Sequence, residues 1–132
     1  MLLLVEDNAL NAEIAQILLT DEGATVTVVT DGKQAVEIVQ NNPPDTFDAV
    51  LMDVMMPVMN GIDATKTIRS LNRPDAKTLP IIAMTANAFY EDAQKCLAAG
   101  MNAHLAKPLQ IKKVKKTIAE WVKNNRSAKK DA

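Results

Sequence analysis

Residues 49–61 read Ala-Val-Leu-Met-Asp-Val-Met-Met-Pro-Val-Met-Asn-Gly, an apolar run that ends in a carboxylate and then enters a loop. The first four residues have the length and character of a buried strand. The stretch that follows, Ile62 to Ser70, has helical spacing. This segment therefore predicts a strand, a loop that begins with Asp53, and a helix.

The same pattern recurs on both sides of this segment. Further strand-length apolar runs are Leu2–Val5, Thr25–Val29, Pro80–Met84 and Ala103–Ala106. Helical spacing marks Ala9–Glu22, Lys33–Gln40, Ala88–Ala99 and Ile111–Lys123. Five strand–helix units in strict alternation predict parallel strands joined by right-handed crossovers. The chain is too short for an eight-stranded barrel, so we expect an open α/β sheet with helices on both faces.

Composition limits the protein classes. The 132 residues suit one domain, which usually has about 100–200, and 48% hydrophobic with 23% charged residues is ordinary for a soluble protein. No stretch approaches the roughly 20 apolar residues of a membrane span, so we expect no direct membrane contact. The net charge of −1 gives no overall attraction to nucleic acid. Cys96 stands alone and cannot form an internal disulfide, which fits a reducing, cytoplasmic setting.

The carboxyl-terminal part is nevertheless basic. A basic segment can bind nucleic acid or acidic lipid. Here the charges fall on an amphipathic helical pattern with one aromatic residue, Trp121, so we favour a solvated helix face. The basic residues of this part are Lys112, Lys113, Lys115, Lys116, Lys123, Arg126, Lys129 and Lys130.

Reactive side chains follow four of the predicted strands. Glu6 and Asp7 follow the first, Asp53 the third, Thr85 the fourth and Lys107 the fifth. In an open parallel sheet, ligands bind beyond the carboxyl ends of the strands. Three carboxylates there repel one another unless a cation intervenes, and oxygen ligands without His or Cys suit Mg²⁺, with Mn²⁺ as a substitute. A carboxylate can also act as a nucleophile and form an aspartyl phosphate.

Each of these residues also has an ordinary structural interpretation. Glu6 and Asp7 could cap a helix and interact with its dipole. Asp53 could be a loop carboxylate, Thr85 an N-cap and Lys107 a surface charge. All of them stand at the ends of four predicted strands, and this favours a phosphoryl-transfer site. Phosphoryl transfer mostly requires positioning and charge neutralisation, which such a set of side chains supplies.

Four motifs in order resemble the receiver domain of response regulators. They are Leu-Leu-Leu-Val-Glu-Asp-Asn at 2–8, the stretch at 50–61 quoted above, Met-Thr-Ala-Asn-Ala at 84–88 and Leu-Ala-Lys-Pro-Leu at 105–109. The resemblance implies a flavodoxin-like fold of strand order 2-1-3-4-5. It also implies that Asp53 is phosphorylated, that Asp7 binds Mg²⁺ with Glu6 directly or through water, and that the Met55 backbone carbonyl completes the protein ligands.

The resemblance further implies a two-state switch. Thr85 and Lys107 would bind the phosphoryl group, and a side chain on the fifth strand, His104 here, would turn inward as Thr85 moves. The family more often has an aromatic residue at that position, so we interpret His104 as a switch or edge residue rather than a ligand or proton carrier. Met55 and Asn87 occupy the positions that tune the phosphoryl lifetime. Neither is charged, so we expect an intermediate lifetime.

The first helix is more apolar than packing on a sheet requires. Ala15, Leu18 and Leu19 form one stripe that would face the sheet. A second, offset stripe consists of Leu10, Ile14 and Ile17. This second stripe is either buried too, or exposed and available to dock a phosphohistidine-bearing kinase or phosphotransfer domain.

We expect a receiver domain at 1–124 and a polar, disordered tail at 125–132. Val-Glu-Asp-Asn at 5–8 and Met-Asp-Val-Met-Met-Pro at 52–57 look more like the receivers of hybrid sensor histidine kinases, and the alternative is a stand-alone response regulator or phosphorelay shuttle. Such a domain accepts a phosphoryl group and assists its own phosphorylation and dephosphorylation, whereas its parent could be the kinase.

A flavin carrier would need a Ser/Thr/Gly-rich phosphate loop where Glu6-Asp7-Asn8 stands. A dehalogenase-type phosphatase would need an aspartate at Met55, and a pseudo-receiver would lack part of the acidic set.

Overall fold

The alternating apolar and helical segments form five strands and five helices in the part of the chain that the structure describes. A computed structural model describes residues 1–44, 46–54, 58–85, 90–106 and 110–130, with the backbone alone for 90–93 and 124–130. The elements in chain order are β1 Leu2–Val5, α1 Ala9–Asp21, β2 Val26–Val29, α2 Gly32–Asn41, β3 Ala49–Asp53, α3 Gly61–Arg69, β4 Ile81–Thr85, α4 Tyr90–Ala99, β5 Ala103–Ala106 and α5 Ile111–Lys130.

The strands form one parallel sheet of order β2-β1-β3-β4-β5, as predicted. Pairing of Val5 with both Val29 and Met52 puts the carboxyl ends of the first three strands at one edge. The chain passes from β1 to β2 on one side and later returns to β3 on the other. The switch in strand order therefore lies between β1 and β3, where open α/β sheets bind ligands.

Helices cover both faces of the sheet, and strand side chains alternate between two aliphatic cores. On one face, Leu3 and Val5 pack with residues of α2, α3 and α4, including Cys96, which is 2% exposed. On the other face, Leu2 and Leu4 pack with residues of α1 and α5. Strands β1, β3 and β4 are buried throughout, as parallel strands covered on both faces must be.

Short polar side chains and glycines set the helix ends. Asn8 and Asp31 accept hydrogen bonds from the first turns of α1 and α2. Asn60 does the same for α3. Gly23 and Gly100 have φ values of +91° and +108°, so they end α1 and α4 in the left-handed conformation expected there.

Helix α5 is longer than the helical spacing predicted. It continues past the predicted end at Lys123 to Lys130. No glycine or proline interrupts Asn-Asn-Arg-Ser-Ala-Lys-Lys at 124–130, so the backbone has no local reason to leave the helix. Residues 131 and 132 lie outside the described residues. Within the described part of the chain, each helix is too short or too polar to cross a membrane.

Candidate functional site

Two neighbouring strands bring the three carboxylates together. Strand β1 ends at Val5, so Glu6 and Asp7 come directly after it. Strand β3 ends in Asp53 itself. Because Val5 pairs with Met52, the next residues along the two strands, Glu6 and Asp53, reach the sheet edge side by side.

The carboxylates form a compact acidic cluster. One carboxylate oxygen from each of Glu6, Asp7 and Asp53 lies within 4.8 Å of the others, and the residues that the structure describes contain no further such group. Glu6 is 3% exposed and Asp53 is 5% exposed, whereas Asp7 reaches solvent. Like charges at this spacing repel, and burial weakens screening by water. An all-oxygen donor set that is open on one side suits Mg²⁺ with part of its water shell.

The turn from β1 into α1 orients Glu6. The backbone N–H of Asn8 donates a hydrogen bond to Glu6 Oε1 at 3.2 Å. The Asn8 side chain meanwhile accepts from the N–H of Asn11 at 3.0 Å and begins the helix. The segment that caps α1 thus also fixes a carboxylate of the cluster.

The backbone of Asp53 is packed against the start of α3. The N–H of Gly61 donates to the carbonyl oxygen of Val54 at 3.0 Å. A Cβ atom on Gly61 would lie 2.2 Å from the Asp53 carbonyl oxygen and 2.9 Å from Met52 Cγ. Only glycine allows this approach, and α3 begins at Gly61.

The fourth and fifth strands contribute to the same edge. Thr85 is the last residue of β4 and is 8% exposed. The preceding residue, Met84, pairs with Asp53. Thr85 therefore lies one position further than Asp53 toward the carboxyl-terminal edge of the sheet. His104 is exposed on the outer strand β5. The predicted site residues Lys107, Met55 and Asn87 lie outside the described residues.

The second apolar stripe of α1 is exposed. Leu10, Ile14 and Ile17 are 64%, 50% and 52% exposed. The first stripe faces the sheet, with Ala15 and Leu19 buried and Leu18 partly buried. An apolar stripe therefore lies on the surface of the helix that begins beside Asp7.

Sequence reasoning missed two residues close to the site. Gly32 begins α2 in contact with the loop after Asp53, and its sequence signal is a glycine directly after the N-cap residue Asp31, before the helical spacing of Lys33–Gln40 begins. Val58 lies in that loop with φ +65°. No sequence signal marks it, because β-branched residues ordinarily avoid this region.

The sequence was compared with models of known protein families. The family model of the response regulator receiver domain matches residues 2–119. The chain belongs to this family. As a receiver domain, it serves in two-component and phosphorelay signalling, and its sheet order is the one that the resemblance implied.

Similar receivers occur in hybrid histidine kinases. The chain is 42% identical over 118 residues to hybrid signal transduction histidine kinase B of Dictyostelium discoideum, a match that covers 83% of the chain and 6% of the kinase. It is 39% identical over 120 residues to the sensor protein GacS of Pseudomonas syringae pv. syringae, with 90% and 13% covered. The chain thus spans only a small part of the curated relatives that it matches.

A solved structure with a TM-score of 0.82 is the receiver domain of sensor histidine kinase PA1611 from Pseudomonas aeruginosa PAO1. It is 40% identical, the match covers 92% of this chain and 95% of that one, and it holds a magnesium ion in its active-site cleft.

Proposed function

We propose that Asp53 accepts a phosphoryl group from a phosphohistidine donor. A carboxylate oxygen of Asp53 attacks phosphorus as the bond between phosphorus and the imidazole nitrogen breaks, and the leaving imidazole takes up a proton. The acidic cluster around Asp53 carries this proposal, because carboxylates at the switch point of a parallel sheet suit phosphoryl transfer.

Glu6, Asp7 and Asp53 would hold Mg²⁺, and the backbone carbonyl of Met55 would complete the protein ligands. The oxygen-only donors on the acidic edge support this assignment, and Mn²⁺ fits the same donors. When bound, the ion supplies positive charge that offsets the carboxylates and the phosphoryl oxygens. Glu6 and Asp7 would thus bind the ion only, while Asp53 would both bind the ion and accept the phosphoryl group.

Thr85 and Lys107 would hold the phosphoryl oxygens of the product. Thr85 supplies a hydroxyl from the end of β4, and Lys107 supplies an ammonium charge. Movement of Thr85 toward the phosphoryl group would let His104 turn inward, and this would change the surface of α4, β5 and α5. The uncharged side chains of Met55 and Asn87 predict a phosphoryl group of intermediate lifetime.

The donor would dock on the second stripe of α1. Leu10, Ile14 and Ile17 are exposed, and their helix begins directly after the acidic cluster. A similar receiver, that of Saccharomyces cerevisiae Ssk1, has been crystallised with the histidine phosphotransfer protein Ypd1. It is 30% identical, the match covers 91% of this chain and 86% of that one, and the TM-score is 0.79. A helical phosphotransfer domain or kinase domain is therefore the proposed partner, with neither nucleic acid nor membrane in the contact.

The parent would be a hybrid sensor histidine kinase that presents this receiver to the cytoplasm. The similarity to receivers within hybrid kinases supports this context. A stand-alone response regulator or phosphorelay shuttle is the alternative. The two are distinguished by whether the full-length gene product also contains a kinase domain.

The deciding experiment is intact mass spectrometry after incubation with acetyl phosphate. We expect one added phosphoryl group on the wild type that requires Mg²⁺ and is absent from Asp53→Asn. Asp63→Asn is the matched control, because Asp63 is an exposed carboxylate in the first turn of α3. It should be phosphorylated like the wild type.

An adduct that persists in Asp53→Asn or forms equally without Mg²⁺ would contradict the assignment. If the wild type shows no adduct, beryllofluoride binding tests whether the product is merely short-lived. Failure of both reagents would reject the phosphoacceptor site.

A further inference from the structure

The loop between β3 and α3 contains a strained residue. Val58 has φ +65° and is the only non-glycine residue with positive φ among those described. A β-branched side chain is disfavoured in this region. Such a conformation persists only where the surroundings enforce it. Val58 is 80% exposed, so packing of its side chain cannot be the cause, and the neighbouring backbone must hold it.

Helix α2 makes one of these backbone contacts. The N–H of Gly32 donates to the carbonyl oxygen of Met59 at 3.0 Å. A Cβ on Gly32 would lie 2.4 Å from that oxygen, 3.1 Å from the Asn60 carbonyl oxygen and 3.0 Å from Ala64 Cβ. Any side chain at position 32 would therefore force α2 and the loop apart.

The displacement would be transmitted toward Asp53. Met59 is two residues before Gly61, and Gly61 already lies against the Asp53 carbonyl oxygen as closely as glycine permits. The Gly61 N–H is also bonded to Val54, the residue after Asp53. The last part of the loop is thus held on two sides, because Gly32 contacts Met59 and Asn60, and Gly61 contacts the end of β3.

We propose that Gly32 is a positioning residue of the acidic site, which holds residues 58–60 in the strained conformation that supports Asp53. Gly32 acts through Met59 and Gly61. The proposal rests on the proposed function, in which Asp53 and this loop bind Mg²⁺. Loss of the contact would let Val58 relax and would move the loop relative to Glu6 and Asp7.

The test compares Gly32→Ala with Gly23→Ala by calorimetric titration with Mg²⁺ alone, together with thermal unfolding. Gly23 has φ +91°, but a Cβ there has nothing within 4 Å, so alanine adds strain far from the loop. We expect Gly32→Ala to weaken Mg²⁺ binding by about tenfold or more, as loss of outer-shell support does in metal sites. Gly23→Ala should melt at a lower temperature and keep its Mg²⁺ affinity.

Each alternative outcome is informative. Unchanged affinity in folded Gly32→Ala would overturn the positioning role, and so would an equal loss of affinity in Gly23→Ala. A wild type that binds no Mg²⁺ would instead reject the metal site of the proposed function.

A second measurement covers the case in which Gly32→Ala does not fold. In the wild type, the backbone amide resonances of Gly32 and Gly61 should shift with the same Mg²⁺ midpoint as that of Asp53, while that of Gly23 stays fixed. A Gly32 resonance that does not respond while Gly61 shifts would overturn the proposal. Where Gly32→Ala folds, adding Val58→Gly should restore part of its Mg²⁺ affinity, because glycine accepts positive φ without strain.

Discussion

The guanidinium of Arg69 donates two hydrogen bonds to the carbonyl oxygen of Gly100, at 3.0 Å from Nε and 2.8 Å from Nη2. Its other contacts are the Ala76 carbonyl oxygen, at 3.1 Å, and Asn102 Oδ1, at 3.0 Å. Asn102 Oδ1 also accepts from the N–H of Ile81 at 2.8 Å. Arg69, the last residue of α3, thus ties the end of α4 to the start of β4. Burial lowers the pKa of this guanidinium, although it stays protonated at neutral pH.

Replacement of Arg69 by methionine should destabilise the fold. The change leaves three partly buried oxygen acceptors without their charged donor, and we expect the free energy of unfolding to fall by about 2–4 kcal/mol. Urea denaturation measures this loss. Lys66→Met is the matched control in the same helix, because Lys66 is exposed, and it should change stability by less than about 0.5 kcal/mol. Equal stabilities for the two variants would show that the Arg69 contacts contribute little.

The positions of the strands and helices were predictable because the local signals for strands and helices agreed with one another. Five apolar runs alternate with helical spacing, and Asn8, Asp31, Gly23 and Gly100 mark helix ends where the structure has them. The alternation alone requires parallel strands, and the resemblance supplied the strand order. Helix α5 is longer than predicted because its apolar spacing ends near Lys123, whereas no glycine or proline stops the helix between Asn124 and Lys130.

The acidic cluster was predictable because topology brings strand ends together whatever the details of packing. The supporting contacts were not. Gly32 and Arg69 contact backbone atoms of residues that are far away in the sequence. The spacing of apolar residues along the chain does not reveal such contacts. The positive φ of Val58 contradicts its local preference, so only the assembled structure reveals it.

Mg²⁺ should stabilise the protein through Asp7. A ligand that binds only the folded state at ten times its dissociation constant adds about 1.4 kcal/mol to the free energy of unfolding. Chelation with EDTA should remove this increment. Asp7→Asn should lose the Mg²⁺-dependent increment and, without metal, be more stable than the wild type, because it relieves repulsion within the cluster.

Thermal unfolding with and without Mg²⁺ makes this comparison, with Asp63→Asn as the control that keeps the whole cluster. An Asp7→Asn variant that gains as much from Mg²⁺ as the wild type would place the ion elsewhere.

The exposed stripe of α1 should matter for the protein donor and not for a small one. Ile14→Ser removes apolar contact area beside the site, so phosphoryl transfer from a phosphorylated histidine phosphotransfer protein should slow by about tenfold, which corresponds to about 1.4 kcal/mol of lost interface energy. The rate with acetyl phosphate should be unchanged, since the acidic cluster is intact.

Leu97→Ser is the matched control for Ile14→Ser. Leu97 is 47% exposed, close to the 50% of Ile14, but lies on α4. It should leave both rates unaltered. Transfer rates that fall equally in the two variants, or in neither, would argue against α1 as the docking surface.

Cys96 should report whether Arg69 holds α4 in place. The thiol is 2% exposed on α4, four residues before Gly100, and it is the only cysteine in the sequence. A maleimide can therefore react only when this region opens, and the labelling rate follows the free energy of that opening. We expect Arg69→Met to accelerate labelling by about tenfold or more, which corresponds to about 1.4 kcal/mol or more of lost protection, whereas Lys66→Met should label like the wild type. Intact mass against time in native buffer gives both rates. Unchanged labelling in a destabilised Arg69→Met variant would mean that Cys96 is protected by contacts other than those of Arg69, and that α4 stays in place when α3 releases it.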